Sequence, residues 1–172
     1  FFFKQKTAYE ISTRDWSSDV CSSDLPQFWS SPEAARAAVG AAVESCTIAI
    51  GNRQECEIAV GSADAHEAAR RLLDKGVEIA IVKQGADGVL VATRDAEPTN
   101  VPPHLVRVVC GLGAGDAFGG AVCHGLLVGW DPVRTVEFAN VAGAIVASRL
   151  LCSDAMPTTD EVLAEMEKTG AH

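Results

Sequence analysis

Aromatic residues are scarce in this chain of 172 residues, at 6% with a single Tyr, and there are only two Met. Cations are also few: 14 Lys and Arg stand against 23 Asp and Glu, for a formal charge of −9. Nucleic acids and anionic membrane surfaces select clustered cations, so neither is an expected partner. No apolar run approaches the roughly 18 residues that a membrane-spanning helix needs. The six Cys include no Cys-x-x-Cys pair and no metal-ligand spacing. Most lie in apolar or helical surroundings, where a thiol acts as a small hydrophobe. Reduced thiols in a cytoplasmic protein are the expectation. What is abundant is apolar: 48% of the residues, ample for a buried core.

The first 25 residues differ from the rest. They hold three of the six Phe, one of the three Trp and the only Tyr, with one Ala and no Gly. Charges there are followed by no apolar signal-peptide core. The stretch resembles a translated sequencing adapter joined in frame to a coding fragment. It is expected to be a non-native, disordered head, with residues 26–172 as the functional part.

From Pro26 onward the punctuation of helices and strands is regular. Ser31-Pro32-Glu33 reads as N-cap, N1 proline and first-turn acid of a helix reaching Ser45. A short strand, Thr47 to Ile50, precedes helices over Asn52–Val60 and Asp64–Lys75, the second closed by Gly76. Val77–Lys83 is apolar enough for a strand buried on both faces, and a Gly85–Gly88 turn joins it to a strand Val89–Thr93. Beyond a Pro-rich stretch the pattern predicts a strand Val106–Val109, a helix from Gly115 ended by Gly129, and another from Asp131-Pro132 to about Leu150. Thr158-Thr159-Asp160-Glu161 opens a last amphipathic helix. Strands alternating with helices predict an α/β fold, a mostly parallel sheet of about four strands with one hairpin. Ligands of such sheets sit at the carboxyl ends of strands. Three motifs fall at those ends, after Ile50, Val82 and Val109, and one composite site is the expectation.

Gly113-Ala114-Gly115-Asp116 is the most telling of the three. A Gly-rich turn opening a helix presents unpaired amides and the positive end of the helix dipole to an anion. A resting phosphate would be repelled by Asp116, but a carboxylate taking a hydroxyl proton beside a transferring phosphoryl group has a purpose. Two other readings stay open. Asp116 could be an N-cap, or Gly111-Leu112-Gly113 could begin a dinucleotide fingerprint, although that pattern wants Gly or Ala where Asp116 stands. Asn52-Arg53-Gln54-Glu55, following a strand, fits a capping box in which Asn52 caps and Glu55 reaches back. Lys83-Gln84-Gly85-Ala86-Asp87-Gly88 fits a hairpin turn that needs Gly. Small residues in Phe138–Ala144 fit tight packing equally well, and His124 reads as a core histidine.

GAGDAFGGA, Gly113 to Ala121, resembles the second signature of the PfkB/ribokinase family of carbohydrate kinases. The resemblance implies a ribokinase-like α/β fold, of which residues 26–172 are the C-terminal, nucleotide-binding half. It also implies ATP and Mg²⁺ as co-substrate and metal. Asp116 then corresponds to the catalytic base, and the amides of Gly113, Ala114 and Gly115 to the anion hole. Asn52 and Glu55 match the Asn-x-x-Glu motif that organises Mg²⁺ through water. Lys83, Gly85 and Gly88 match the segment along the nucleotide phosphates, and Asn140 the adenine side. Cys110-Gly111 departs from the common Asp-Thr pair, which leaves a monovalent cation open. The wording of residues 111–130 and 138–158 points to a member acting on a sugar acid, with a homo-oligomer possible for the complete enzyme. Other sugar kinases of the family, or a nucleotide-binding fragment without catalysis, remain as alternatives.

Overall fold

The computed structural model describes residues 2–3, 29–150 and 153–169. Most of the expected head therefore lies outside the described residues, as do Cys21 and Cys152. Two units divide at Asn100/Val101. No described helix is long and apolar enough to cross a membrane.

The first unit is a sheet with helices. Its elements are β1 (Phe2–Phe3), α1 (Pro32–Val43), β2 (Ile48–Asn52), α2 (Arg53–Val60), α3 (Ala65–Asp74), β3 (Ile79–Lys83) and β4 (Val89–Thr93). A short β5 (Thr99–Val101) ends it, and the strand order is β1-β2-β3-β4-β5. β2 and β3 run parallel, with Asn52 opposite Lys83 at their carboxyl ends. β3 and β4 form the expected antiparallel hairpin, and β1 pairs antiparallel with β2. These pairings make the sheet mixed. The α/β class stands.

Local chemistry sets the helix starts. Ser31 caps α1 by accepting from the Ala34 amide, and Pro32 occupies N1, where its missing N–H costs nothing. Asp64 caps α3 in the same way. In α3 the buried residues Ala65, Ala68, Ala69 and Leu72 recur with helical spacing. They join Val43, Ala59, Val77, Ala80, Val82 and Leu90 in one core. Ile81, only 1% exposed, points to the sheet's other face, and its burial is worth about 1.5–3 kcal/mol.

The second unit is helical: α4 (Ala114–Leu127), α5 (Pro132–Ala147) and α6 (Thr159–Thr169). α4 and α5 form an antiparallel hairpin around Gly129, which has a φ of 80°. Glycines permit its close approach. A Cβ on Gly143 would meet the Ala114 carbonyl at 3.1 Å, and one on Gly125 would meet Thr135 at 2.7 Å. The aromatic rings of His124, Trp130 and Phe138 pack with centroids 5.2–5.6 Å apart, and the Arg134 guanidinium lies 4.8 Å from the Trp130 ring.

The expected strand Val106–Val109 does not form. Residues 102–110 are irregular, and Val108 and Val109 are 67% and 53% exposed. A strand exists where a neighbour receives its ladder. Here the amides of Val109 and Cys110 both donate to the Ala147 carbonyl, at 2.8 and 3.1 Å. Among the described residues, the strand nearest the Pro-rich stretch is β5, three residues that begin before Pro102. α4 begins at Ala114, one residue before the expected start, and α5 ends three residues before Leu150.

Candidate functional site

At the carboxyl end of β2 the chain turns directly into α2. Asn52 is the N-cap: its side-chain oxygen accepts from the Glu55 amide at 2.9 Å, and the Glu55 carboxylate accepts from the Asn52 amide at 2.5 Å. The capping box is therefore real. Glu55 is nonetheless half-buried, not sealed, so the box does not remove it from solvent. Gly51 makes the room, since a Cβ there would meet the Glu55 carboxylate at 3.3 Å and the Cys56 sulfur at 3.4 Å. Cys56 beneath it is pushed up to about 12, chiefly by burial and secondarily by the Glu55 charge, with Lys83 acting in the opposite sense.

On the adjacent strand end, Lys83 is half-exposed and opens the Gly85–Asp87 3₁₀ turn. Gly85 and Gly88 both have positive φ, 64° and 91°, and that backbone is what excludes other residues from the turn. A hydrogen-bonded ring braces it. Gln84 Nε2 donates to Asn100 Oδ1 at 2.7 Å, and Asn100 Nδ2 donates to the Asp87 carbonyl at 3.1 Å. Arg53 reaches over from α2 to donate to Gln84 Oε1 at 3.2 Å and Asp87 Oδ2 at 2.9 Å. Arg53 lies inside the Asn52–Glu55 motif, yet the motif alone assigns it no role. A cation directly after a strand end is the signal that could have found it.

In the second unit Gly113 is the N-cap of α4, left-handed at φ 84° and with no side chain to cap the helix. That excludes Asp116 as the cap. Asp116 sits in the first helical turn, with its side chain exposed. The Ala114 amide donates to the Gly111 carbonyl at 3.3 Å, a long bond, and the Ala117 amide to Gly113 at 2.9 Å. Gly115 and Asp116 lie where a helix provides no carbonyl partner for its amides. The turn is thus an uncapped helix start with a carboxylate beside it.

Asp116 also stands at the edge of a cleft of about 270 Å³, with Gly120 and His124 along one face of α4, Phe138 from α5, and Met156 opposite. His124 does pack against rings as a core histidine would, yet it also lines this cleft. Asn140 Nδ2 donates to the Pro102 carbonyl at 2.9 Å, which ties α5 to the irregular segment. Cys110 is held by its amide to Ala147, and Gly111 bonds back to Ala114. Cys46, Cys56, Cys110 and Cys123 carry thiols.

Among the described residues no three His, Cys, Asp or Glu side chains cluster as a metal cage. Mg²⁺ does not require one, because it keeps several waters and takes one or two carboxylates plus substrate phosphates. The half-buried Glu55 carboxylate beside Asn52 fits that kind of binding.

Comparison with known proteins gives the family and the fold. A 5-dehydro-2-deoxygluconokinase of Geobacillus thermodenitrificans is 33% identical over 144 residues, which cover 80% of this chain and 42% of that protein. One from Clostridium perfringens is 34% identical over 120 residues, 67% of this chain and 35% of its own length. The chain thus spans about two fifths of the length of the curated relatives it matches. Among solved structures, a putative ribokinase II from E. coli in complex with ATP and Mg²⁺ superposes with a TM-score of 0.74 at 25% identity. The match covers 85% of this chain and 46% of that one. A fructokinase from Vibrio cholerae with fructose, ADP and calcium bound gives 0.71 at 27% identity, covering 80% and 46%. The fold is ribokinase-like. Residues 10–159 match the profile of the pfkB family carbohydrate kinases, and the chain belongs to that family.

Proposed function

We propose that residues 26–172 are the nucleotide-side, proton-abstracting part of a cytoplasmic, ATP-dependent sugar kinase. The substrate we infer is 5-dehydro-2-deoxy-D-gluconate, phosphorylated on its 6-hydroxyl in myo-inositol breakdown. The observation that carries the reading is Asp116, an exposed carboxylate in the first turn of a helix that Gly113 leaves uncapped. Phosphoryl transfer needs a proton acceptor and donors aimed at the developing charge, and little else from the protein.

Asp116 takes the proton of the attacking hydroxyl, and the oxygen so exposed forms a bond to the γ-phosphorus as the bond to ADP breaks. The amides of Gly113, Ala114 and Gly115 hold charge on the transferring group. In this reading Lys83 pairs with nucleotide phosphate, and the turn from Gly85 to Gly88 lies along it. Asn52 and Glu55 would hold Mg²⁺, which would supply charge neutralisation to the phosphates. Asn140 stands on the adenine side, with its amide fixed by Pro102. The substrate is supported by the two gluconokinase relatives at 33% and 34% identity, against 27% for the fructokinase.

The test is Asp116→Asn in the complete enzyme. Loss of a general base lowers kcat by about 10²–10⁴-fold, with ATP affinity unchanged. Turnover equal to that of the parent removes Asp116 from the chemistry. A panel of 5-dehydro-2-deoxy-D-gluconate, 2-keto-3-deoxygluconate and fructose decides the sugar, and preference for either of the last two overturns the gluconate assignment. For residues 26–172 alone we expect nucleotide binding without sugar phosphorylation.

A further inference from the structure

Two cations stand at the ends of neighbouring parallel strands. β2 and β3 pair through Asn52 and Lys83, and Arg53, one residue beyond Asn52, donates to Gln84, the residue after Lys83. Lys83 has no ion-pair partner among the described salt bridges, whereas Arg53 is held on Asp87. That pair is half-open to water, with side chains 47% and 65% exposed. Exposed pairs are worth about 0–1 kcal/mol, so separating this one is cheap. A guanidinium on phosphate forms charge-assisted, commonly bidentate bonds, which are about twice as strong as neutral ones.

The turn does not depend on the guanidinium. Asn100 binds both Gln84 and the Asp87 carbonyl, and Gln84 and Gly88 close the loop through a 2.8 Å backbone bond. Arg53 can therefore leave Asp87 while the 3₁₀ turn keeps its shape.

We propose that Arg53 is a polyphosphate-contacting residue held in waiting by Asp87, and that an incoming nucleotide's phosphates draw it from that carboxylate to act beside Lys83. Asp87 is then a positioning residue and a competitor: it keeps the guanidinium over the strand ends, and it must be displaced. This rests on the reading of the first unit as a nucleotide-phosphate site.

The test is binding of Mg-ATP, ADP and adenosine to the 172-residue chain and to Arg53→Ala and Asp87→Asn, by calorimetry at two salt concentrations. Arg53→Ala should weaken Mg-ATP by roughly 10-fold or more, the scale of a lost charge-assisted bond, and leave adenosine within about twofold. Asp87→Asn should tighten Mg-ATP by up to about fivefold, because a competitor worth at most about 1 kcal/mol is removed. A purely structural ion pair gives a different pattern: both variants weaken ATP and adenosine alike, and that result overturns the proposal. So does unchanged ATP binding in Arg53→Ala. If the parent chain binds adenosine and ATP equally or neither, the phosphate-site reading itself falls. That outcome is distinct from selective failure of Arg53.

Discussion

The α4–α5 crossing is tight enough to give a quantitative expectation for Gly125→Ala. An added Cβ would lie 2.7 Å from both Cγ2 and Oγ1 of Thr135 and 3.0 Å from its Cβ. Carbon pairs prefer about 3.5–4.0 Å. Thr135 is wholly buried and β-branched, so every χ1 rotamer leaves at least one branch in the clash. Relief has to come from backbone separation. Overpacking of this kind costs about 1–3 kcal/mol, and contact with two branches at once places it in the upper half of that range. Alanine recovers about 0.8–1.0 kcal/mol through its higher helix propensity. The net expectation is a loss of about 1–2 kcal/mol. Urea unfolding followed by Trp fluorescence is the assay, because Trp130 packs against His124 and Phe138 in this hairpin. Thr135→Ala supplies the control. It removes a methyl group and also a buried hydroxyl, Oγ1, that has no hydrogen-bond partner, so its own cost is small. Combined with Gly125→Ala, it should restore most of the loss, a coupling of about 1–2 kcal/mol. Single effects that add within about 0.3–0.5 kcal/mol, or a Gly125→Ala protein as stable as its parent, would refute the reasoning.

Two further outcomes follow from titration and burial. The Glu67 carboxyl is held down to about 2 from 4.5, first by its hydrogen bond from Arg70 and then by that from Arg71. A lowered folded value means its stabilisation is complete above the unfolded value of 4.5, and it is lost as the pH falls toward about 2. A carboxyl NMR titration with its midpoint near 4.5 would contradict the Arg contacts. Cys56, pushed up to about 12 by burial, holds on the order of one thiolate in ten thousand at pH 8. Maleimide should leave it unlabelled in the folded protein and modify it in urea. Labelling without denaturant, located by peptide mapping, would show that β2 and α2 do not cover it.

Caps and periodicity make the first unit readable. Ser31, Asn52 and Asp64 each satisfy the amides that their residue type predicts, and the apolar run ending at Lys83 is a strand buried on both faces. The Asn52–Glu55 motif is compatible with a cap or with a metal site. It forms the cap, and half-burial of Glu55 leaves the second reading open. Val106–Val109 misleads because an apolar run says nothing about whether a neighbouring strand exists, and its last amide bonds to the end of α5 instead. For the same reason the antiparallel pairing of β1 with β2 is not legible: direction is set by which strands meet, not by the residues of either one. Arg53 is marked in the sequence only as a cation after a strand end, because its partners Asp87 and Gln84 lie 34 and 31 positions away. The cleft beside Asp116 is assembled from three elements, and only its α4 face has a recognisable spacing.

The bare start of α4 couples ligand occupancy to local stability. A Ser, Asp or Asn cap stabilises a helix by about 1 kcal/mol, but its side chain also occupies one of the amides. With Gly113 in that place, the first turn is left as the part of α4 that frays most readily. An anion bound there does what a cap would have done. Amide hydrogen exchange at Gly115 and Asp116 should therefore slow when a phosphate-bearing ligand binds, while the middle of the helix remains unchanged. On the proposed reading, order at this helix end becomes something the substrate supplies, and the turn is most rigid when the transferring group is present.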